Sequence, residues 1–186
     1  MKKTLSIFII ISILLGSNST CLSQDYYSGK TSIKGNCYEF KVTRLTNYFI
    51  VGNIKNSKFR TSQFLPNGDP APITQLHLTA HYVDTNQVVN AFKTVFTNEE
   101  ISLFNSDKSL LLSIAFIIST KGDVLETEFD FIDHPVMKSI HPDKLYSFEK
   151  EIKKTVKFWV EERTKILDYI QGRTYTLNLS YLRSKL

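Results

Sequence analysis

LLLSIAFIISTKGDVLETEFDFI, residues 110–132, is the stretch that decides the fold. Leu110, Leu112, Ile114, Phe116 and Ile118 recur at every second position, which is strand spacing, because successive side chains on a strand point to opposite faces. Ser119-Thr120-Lys121-Gly122-Asp123 makes a tight turn, with Gly122 free to take the positive φ that such turns need. Val124 to Ile132 then returns, placing Leu125, Phe129 and Phe131 on one face and Glu126, Glu128 and Asp130 on the other. The expected product is a β-hairpin with one greasy and one wet side.

Working outward, residues 133–141 form a loop, and His141-Pro142 suits a helix start, since proline is tolerated at the first helical position. Leu145, Phe148, Ile152, Val156 and Trp159 follow at spacings of three and four, an amphipathic helix that faces the sheet. Lys150, Lys153, Lys154 and Lys157 occupy its outer side, interleaved with Glu149 and Glu151, as on a solvated face. The stretch 156–170 reads equally as strand or helix. Beyond Gly172, Tyr175, Leu177, Leu179 and Tyr181 alternate with polar residues, a terminal strand.

Upstream, Tyr38, Phe40 and Val42 alternate with Glu39, Lys41 and Thr43, and a second run covers Tyr48 to Ile54; the two suit a hairpin. Residues 55–72 are polar and contain Pro66, Asn67-Gly68, Pro70 and Pro72, which predicts a long surface loop suited to an insertion or a mobile element. Leu76 to Tyr82 alternates again, and Gln87 to Val95 leans towards helix. Thr97 with Glu100 three residues later is a capping box, and Phe96 and Ile101 are placed as its hydrophobic staple. A short helix from about Asn98 to Phe104 follows.

The order hairpin, helix, strand over residues 110–182 resembles the C-terminal domain of TonB, the periplasmic energy transducer. STKGDVLETEFDF as the hairpin and LYSFEKEIKKTVKFWV as the helix running into a strand carry that resemblance. With VFTNEEISLF and DYIQGRTYTLNLSYL added, the chain looks similar to a family of small exported bacterial proteins of unknown function. The resemblance implies a shape, helices on one face of an antiparallel sheet whose edge could accept a partner strand, and no assigned activity. A transducer's long Pro-rich spacer is not expected, because the sequence holds five prolines.

The N-terminus reads as a secretory signal. Lys2 and Lys3 precede an apolar run from Leu5 to Leu15, too short for the roughly 20 residues of a spanning helix. Cys21 and Ser23 occupy the small-residue positions before a cut after Ser23. The alternative is a lipoprotein signal that acylates Cys21, although Asn18 and Thr20 depart from that pattern. Cleavage after Ser23 leaves Cys37 as the one cysteine, and its neighbours Tyr38, Phe40 and Val42 suggest a buried thiol. Without Lys2 and Lys3 the 23 basic residues fall to 21 against 18 acidic, a net +3, too mild for a nucleic-acid partner. The 13 Phe and 9 Tyr argue for a folded chain.

Candidate sites are sparse. His77 and His81 are four apart, but on a strand that is about 13 Å, too far for one ion. Asp133, His134, His141 and Asp143 flank the loop before the helix and are the candidate metal or hydrolytic cluster, against which stands the habit of His-Pro pairs to serve as corners. Glu126, Glu128 and Asp130 share a strand face, and paired carboxylates serve glycosidases, yet alternating acids are usually solubilising. Cys37 has no His-plus-acid pairing that would make it a nucleophile. No cofactor motif is present.

The expectation is therefore an α+β fold, an antiparallel sheet with helices packed on one face. Residues 1–23 form the signal, 24–96 a β-rich part with the 55–72 loop, and 97–186 the TonB-like part, the last two together as one unit. The functional expectation is an exported, non-enzymatic binding or adaptor module of the cell envelope, working through a sheet edge or the 55–72 loop. The alternatives are an envelope hydrolase built on residues 133–143 and a carrier of an apolar ligand.

Overall fold

The computed structural model describes residues 24–72, 81–105, 107–172 and 174–185. Residues 1–23, expected to be a signal, with Cys21 among them, and His77 lie outside the described residues. Seven strands form the main antiparallel sheet: β1 Ser32–Lys34, β2 Glu39–Arg44, β3 Tyr48–Asn53, β6 Val124–Ile132, β5 Leu111–Ile118 and, both on the far side of β5, β8 Ile170–Gln171 and β9 Tyr175–Asn178. Two further strands, β4 His81–Val83 and β7 Phe158–Val160, pair with each other in a separate ribbon. The helices are α1 Thr85–Val95, α2 Asn98–Phe104, α3 Pro135–Lys138 and α4 Pro142–Thr155.

The period-2 pattern of residues 110–132 becomes the centre of the sheet. Leu112 pairs with Phe131 and Ile114 with Phe129, so the inner face is a continuous row of buried apolar side chains. β3 continues that row on the other side of β6, with Phe49 opposite Phe131 and Val51 opposite Phe129. Helix α4 roofs it through Leu145, Phe148 and Ile152, all fully buried. Phe148 stacks on Phe129 at 5.6 Å and meets Phe92 of α1 edge-on at 5.4 Å. Phe92 in turn stacks on Phe96 at 4.1 Å. Truncating one such ring to Ala costs about 3–5 kcal/mol. The many aromatic rings thus pack on one another, and the core runs unbroken from Tyr27 to Leu182.

The capping box forms as the sequence requires. Thr97 Oγ1 accepts the N–H of Glu100 at 3.3 Å, and Glu100 Oε2 accepts the N–H of Thr97 at 2.8 Å. Residues 85–95 are helical, with Val88, Val89 and Phe92 buried. Gly122 sits in the hairpin turn at φ +84°, where a Cβ would stand 2.0 Å from the carbonyl oxygen of Phe158.

Four expectations are corrected. Leu125 is not on the core face: the register slips between Ile117 and Ile118, leaving Leu125 as the extra residue of a bulge, 37 % exposed. Trp159 is not on the helix, which ends at Thr155; it lies half-exposed on β7. The terminal strand stops at Asn178 and gives way to a 3-10 turn over Leu179–Lys185. Cys37 is exposed rather than buried, because it sits in the turn between β1 and β2, one residue before the inward-facing Tyr38.

Among the described residues no helix is long and apolar enough to cross a membrane.

Candidate functional site

The residues of the 133–143 loop are each engaged in holding the chain's own corners. His134 caps α3, its Nδ1 accepting the N–H of Val136 at 3.2 Å, while its Nε2 lies 3.8 Å from Asp107. His141 caps α4 in the same way, Nδ1 accepting the N–H of Asp143 at 3.1 Å. Asp133 pairs with Arg44 at 2.9 Å and with Lys138 at 3.0 Å. Asp143 accepts the hydroxyl of Tyr38 at 2.6 Å; burial first, then this carboxylate, push the Tyr38 hydroxyl well above its ordinary range. His141 Nδ1 also lies 3.4 Å from Asp143 Oδ2, while Asp133 and His134 turn to other partners, so the four do not converge on one point. Among the described residues no three His, Cys, Asp or Glu side chains are grouped to hold an ion.

The wet face of β6 behaves differently from the expected row of solubilising acids. Residues 55–63 fold back over it as an arm, with a 3-10 turn at Lys58–Arg60. Glu126, only 8 % exposed, is the anchor: Oε1 accepts the N–H of Ser57 at 3.0 Å, and Oε2 accepts the N–H of Lys58 at 3.0 Å. Asn56 donates to the carbonyl of Thr127 at 2.7 Å. The far end of the arm is held by the segment before β8. The Tyr169 hydroxyl lies 2.7 Å from Thr61 Oγ1 and 3.0 Å from the carbonyl oxygen of Ser62, and Gln63 donates to the carbonyl of Tyr169 at 2.9 Å. Lys58 Nζ sits 4.6 Å from the centre of the Tyr169 ring. The predicted surface loop is therefore pinned at both ends of this arm.

Between arm and sheet lies a cleft of about 330 Å³, walled by Lys41, Gly52, Asn53, Asn56, Arg60 and Glu128. Lys41, Gly52 and Glu128 are register partners across β2, β3 and β6, so they stand side by side on one face. Gly52 makes room for Glu128: a Cβ there would meet Glu128 Cγ at 2.8 Å and Oε1 at 2.9 Å, so the Glu128 side chain would have to move aside. The Glu128 side chain lies along the bare backbone of Gly52. Burial raises its pKa above the ordinary carboxylate value and the neighbouring Glu126 charge adds to this, while Arg60 and Lys41 oppose it. Among the described residues no donor hydrogen-bonds the Glu128 carboxylate, and neither Lys41 nor Arg60 closes an ion pair. The cleft therefore holds two open cations and one partly dehydrated acid.

Two other hollows are less structured. The groove beside Trp159, about 660 Å³, is a wide surface trough flanked by Lys121 and Lys165. The apolar notch between α2, α3 and α4 is about 120 Å³, below the 300 Å³ or so at which small-molecule pockets begin.

The fold has a solved counterpart. A DUF5043 family protein from Bacteroides uniformis superposes with a TM-score of 0.65 over 82 % of this chain and 86 % of that one. At 16 % identity the likeness shows the fold alone. No family model and no curated protein matches the chain.

Nothing in the sequence pointed to the cleft as a unit. Its residues come from β2, β3, β6 and the arm, and alternation along β6 gave only the shared face of Glu126 and Glu128. The one available signal was Gly52 inside an otherwise apolar strand, a mark of close approach by another group.

Proposed function

We propose that this chain is an exported, non-enzymatic binding module of the cell envelope that takes its ligand in the cleft between the 55–63 arm and β6. The observation that carries this reading is the pair Lys41 and Arg60, open cations facing Glu128 within walls fixed by Glu126 and Tyr169. Binding is favoured over hydrolysis by the state of Glu126. Both its oxygens accept backbone N–H groups of the arm, and it is nearly buried, so it is not free to act as base or nucleophile beside Glu128. Small-molecule extract of the cell envelope, offered to purified protein and followed by native mass spectrometry, tests the reading. A species retained by the wild type and lost on Arg60→Ala supports it. Retention of nothing, or retention unaffected by the substitution, contradicts it.

One observation favours a second mode, an adaptor role through the sheet edge. Leu179 donates its N–H to Leu110, which sets the alternation so that Tyr175 and Leu177 turn to β5 while Thr176 and Asn178 turn outward. Among the described residues no strand pairs with that outer side of β9. The resemblance of the sequence over residues 110–182 to the TonB C-terminal domain is in keeping with such strand addition. Thr176→Pro removes an outward N–H and leaves the backbone bonds to β5 in place, though it gives up the 2.9 Å contact between the Thr176 and Ser113 hydroxyls. It should abolish capture of an envelope partner, whereas Thr176→Ala, which loses the same hydroxyl contact but keeps the N–H, should retain it; unchanged capture by the proline variant rules this mode out.

A further inference from the structure

From the charges that line the arm cleft we infer its ligand class: a small organic acid that carries one carboxylate and at least one O–H or N–H donor, a hydroxy-acid or an amino acid. This rests on the proposal that the cleft is the binding place. Arg60 offers a planar fork suited to a carboxylate, and Lys41 a second positive charge from the neighbouring strand. Glu128 is the discriminating group. Its carboxylate lies across Gly52 with no donor of its own among the described residues, so a ligand without a donor leaves it unmatched.

The charges of the lining point the same way. The two cations, Lys41 and Arg60, exceed by one the single acid that lines the cleft, Glu128, which leaves a place for one carboxylate. Glu126 stands behind the lining with both oxygens on the arm's N–H groups, and its charge, felt at Glu128, favours an O–H or N–H donor there. Asn53 and Asn56 are engaged elsewhere: Asn53 donates to Glu149 at 3.3 Å and Asn56 to Thr127. They shape the wall more than they read the ligand. Half-exposed Ile54 supplies an apolar rim. A cleft of about 330 Å³ accepts one sugar acid or one amino acid, not a long chain.

Calorimetric titration of the purified protein with galacturonate and with L-alanine tests the inference and separates its two sources. Acetate, a carboxylate without a donor, and glucose, donors without a carboxylate, are the controls. The expected result is saturable binding of galacturonate or alanine, with both controls at least about tenfold weaker. Arg60→Gln and Glu128→Gln should each weaken the successful probe about tenfold, with Lys41→Gln as a second exposed-charge variant should either fold poorly. Absence of binding by both acids, while envelope extract still yields an Arg60-dependent species, overturns the ligand class and leaves the binding reading standing. Binding of an acid that ignores Arg60 and Glu128 overturns the class and the cleft together.

Discussion

Glu126 holds Ser57: a carboxylate on the outer face of β6 accepts the arm's N–H at 3.0 Å, 69 residues away in the chain. This contact turns a strand face that reads as solvated into one wall of a cleft. The neighbouring oxygen accepts the N–H of Lys58, so one side chain satisfies two backbone donors at the start of a 3-10 turn.

Glu126→Ala leaves both donors unmatched and should lower stability by about 1.5–3 kcal/mol, the range for hydrogen bonds to a charged group. Denaturant unfolding measures it. An unchanged midpoint means that the arm is not held there.

Glu128 makes stability depend on pH. Burial raises its folded-state pKa, so the native state keeps the proton that the unfolded chain releases near its ordinary value of 4.5. The native state therefore binds more protons across that window, and stability, fully present below it, is lost as pH rises through the folded value. Asp130, raised by burial as well, acts in the same direction. Glu128→Gln, which stays neutral, should gain Tm relative to wild type on going from about pH 4 to about pH 7 in calorimetry. A relative loss over that interval contradicts the assignment.

Gly122→Ala should destabilise strongly. Positive φ costs an L-residue about 1–2 kcal/mol, and the new Cβ would collide with the Phe158 carbonyl, a rigid backbone atom. Because Gly122 O also accepts the N–H of Phe158, the substitution should loosen the β4–β7 ribbon as well as the turn. Loss of Trp159 emission change on ribbon opening would be the specific readout; wild-type Tm in the variant would refute the close approach.

Thr97→Ala removes one half of the capping box and should cost about 1 kcal/mol, read as a drop in Tm. Glu100 also pairs with Lys144 of α4 at 3.0 Å, so Glu100→Ala should cost more than Thr97→Ala. The reverse order would assign the cap, not the helix–helix pair, as the larger contribution.

The elements legible in the sequence were those whose signal is local. The alternation of residues 110–132, the Thr97–Glu100 box and the Pro142 helix start each depend on neighbours a few positions away. Other features escaped because they are decided by distant partners. Leu125 follows the inward parity yet points out, since a bulge is set by the pairing partner and not by the strand's own pattern. Glu126 and Glu128 looked solubilising because nothing in the β6 sequence announces that residues 55–63 cover them. His134 and His141 were legible in their alternative role, as caps next to proline, and both hold helix starts. The β7 ribbon was half legible: Phe158–Val160 alternates as a strand does, but so short an alternation also fits a helix, and its partner, residues 81–83, is distant in the chain.

The most direct test of the central claim is amide hydrogen exchange at Ser57 and Lys58. If Glu126 fixes the arm, both amides should be protected in the wild type and exchange freely in Glu126→Ala, while Val51 and Phe129 in the sheet stay protected in each. Free exchange of Ser57 and Lys58 in the wild type would mean that no walled cleft exists, and the binding role assigned to Arg60 and Glu128 would fall with it.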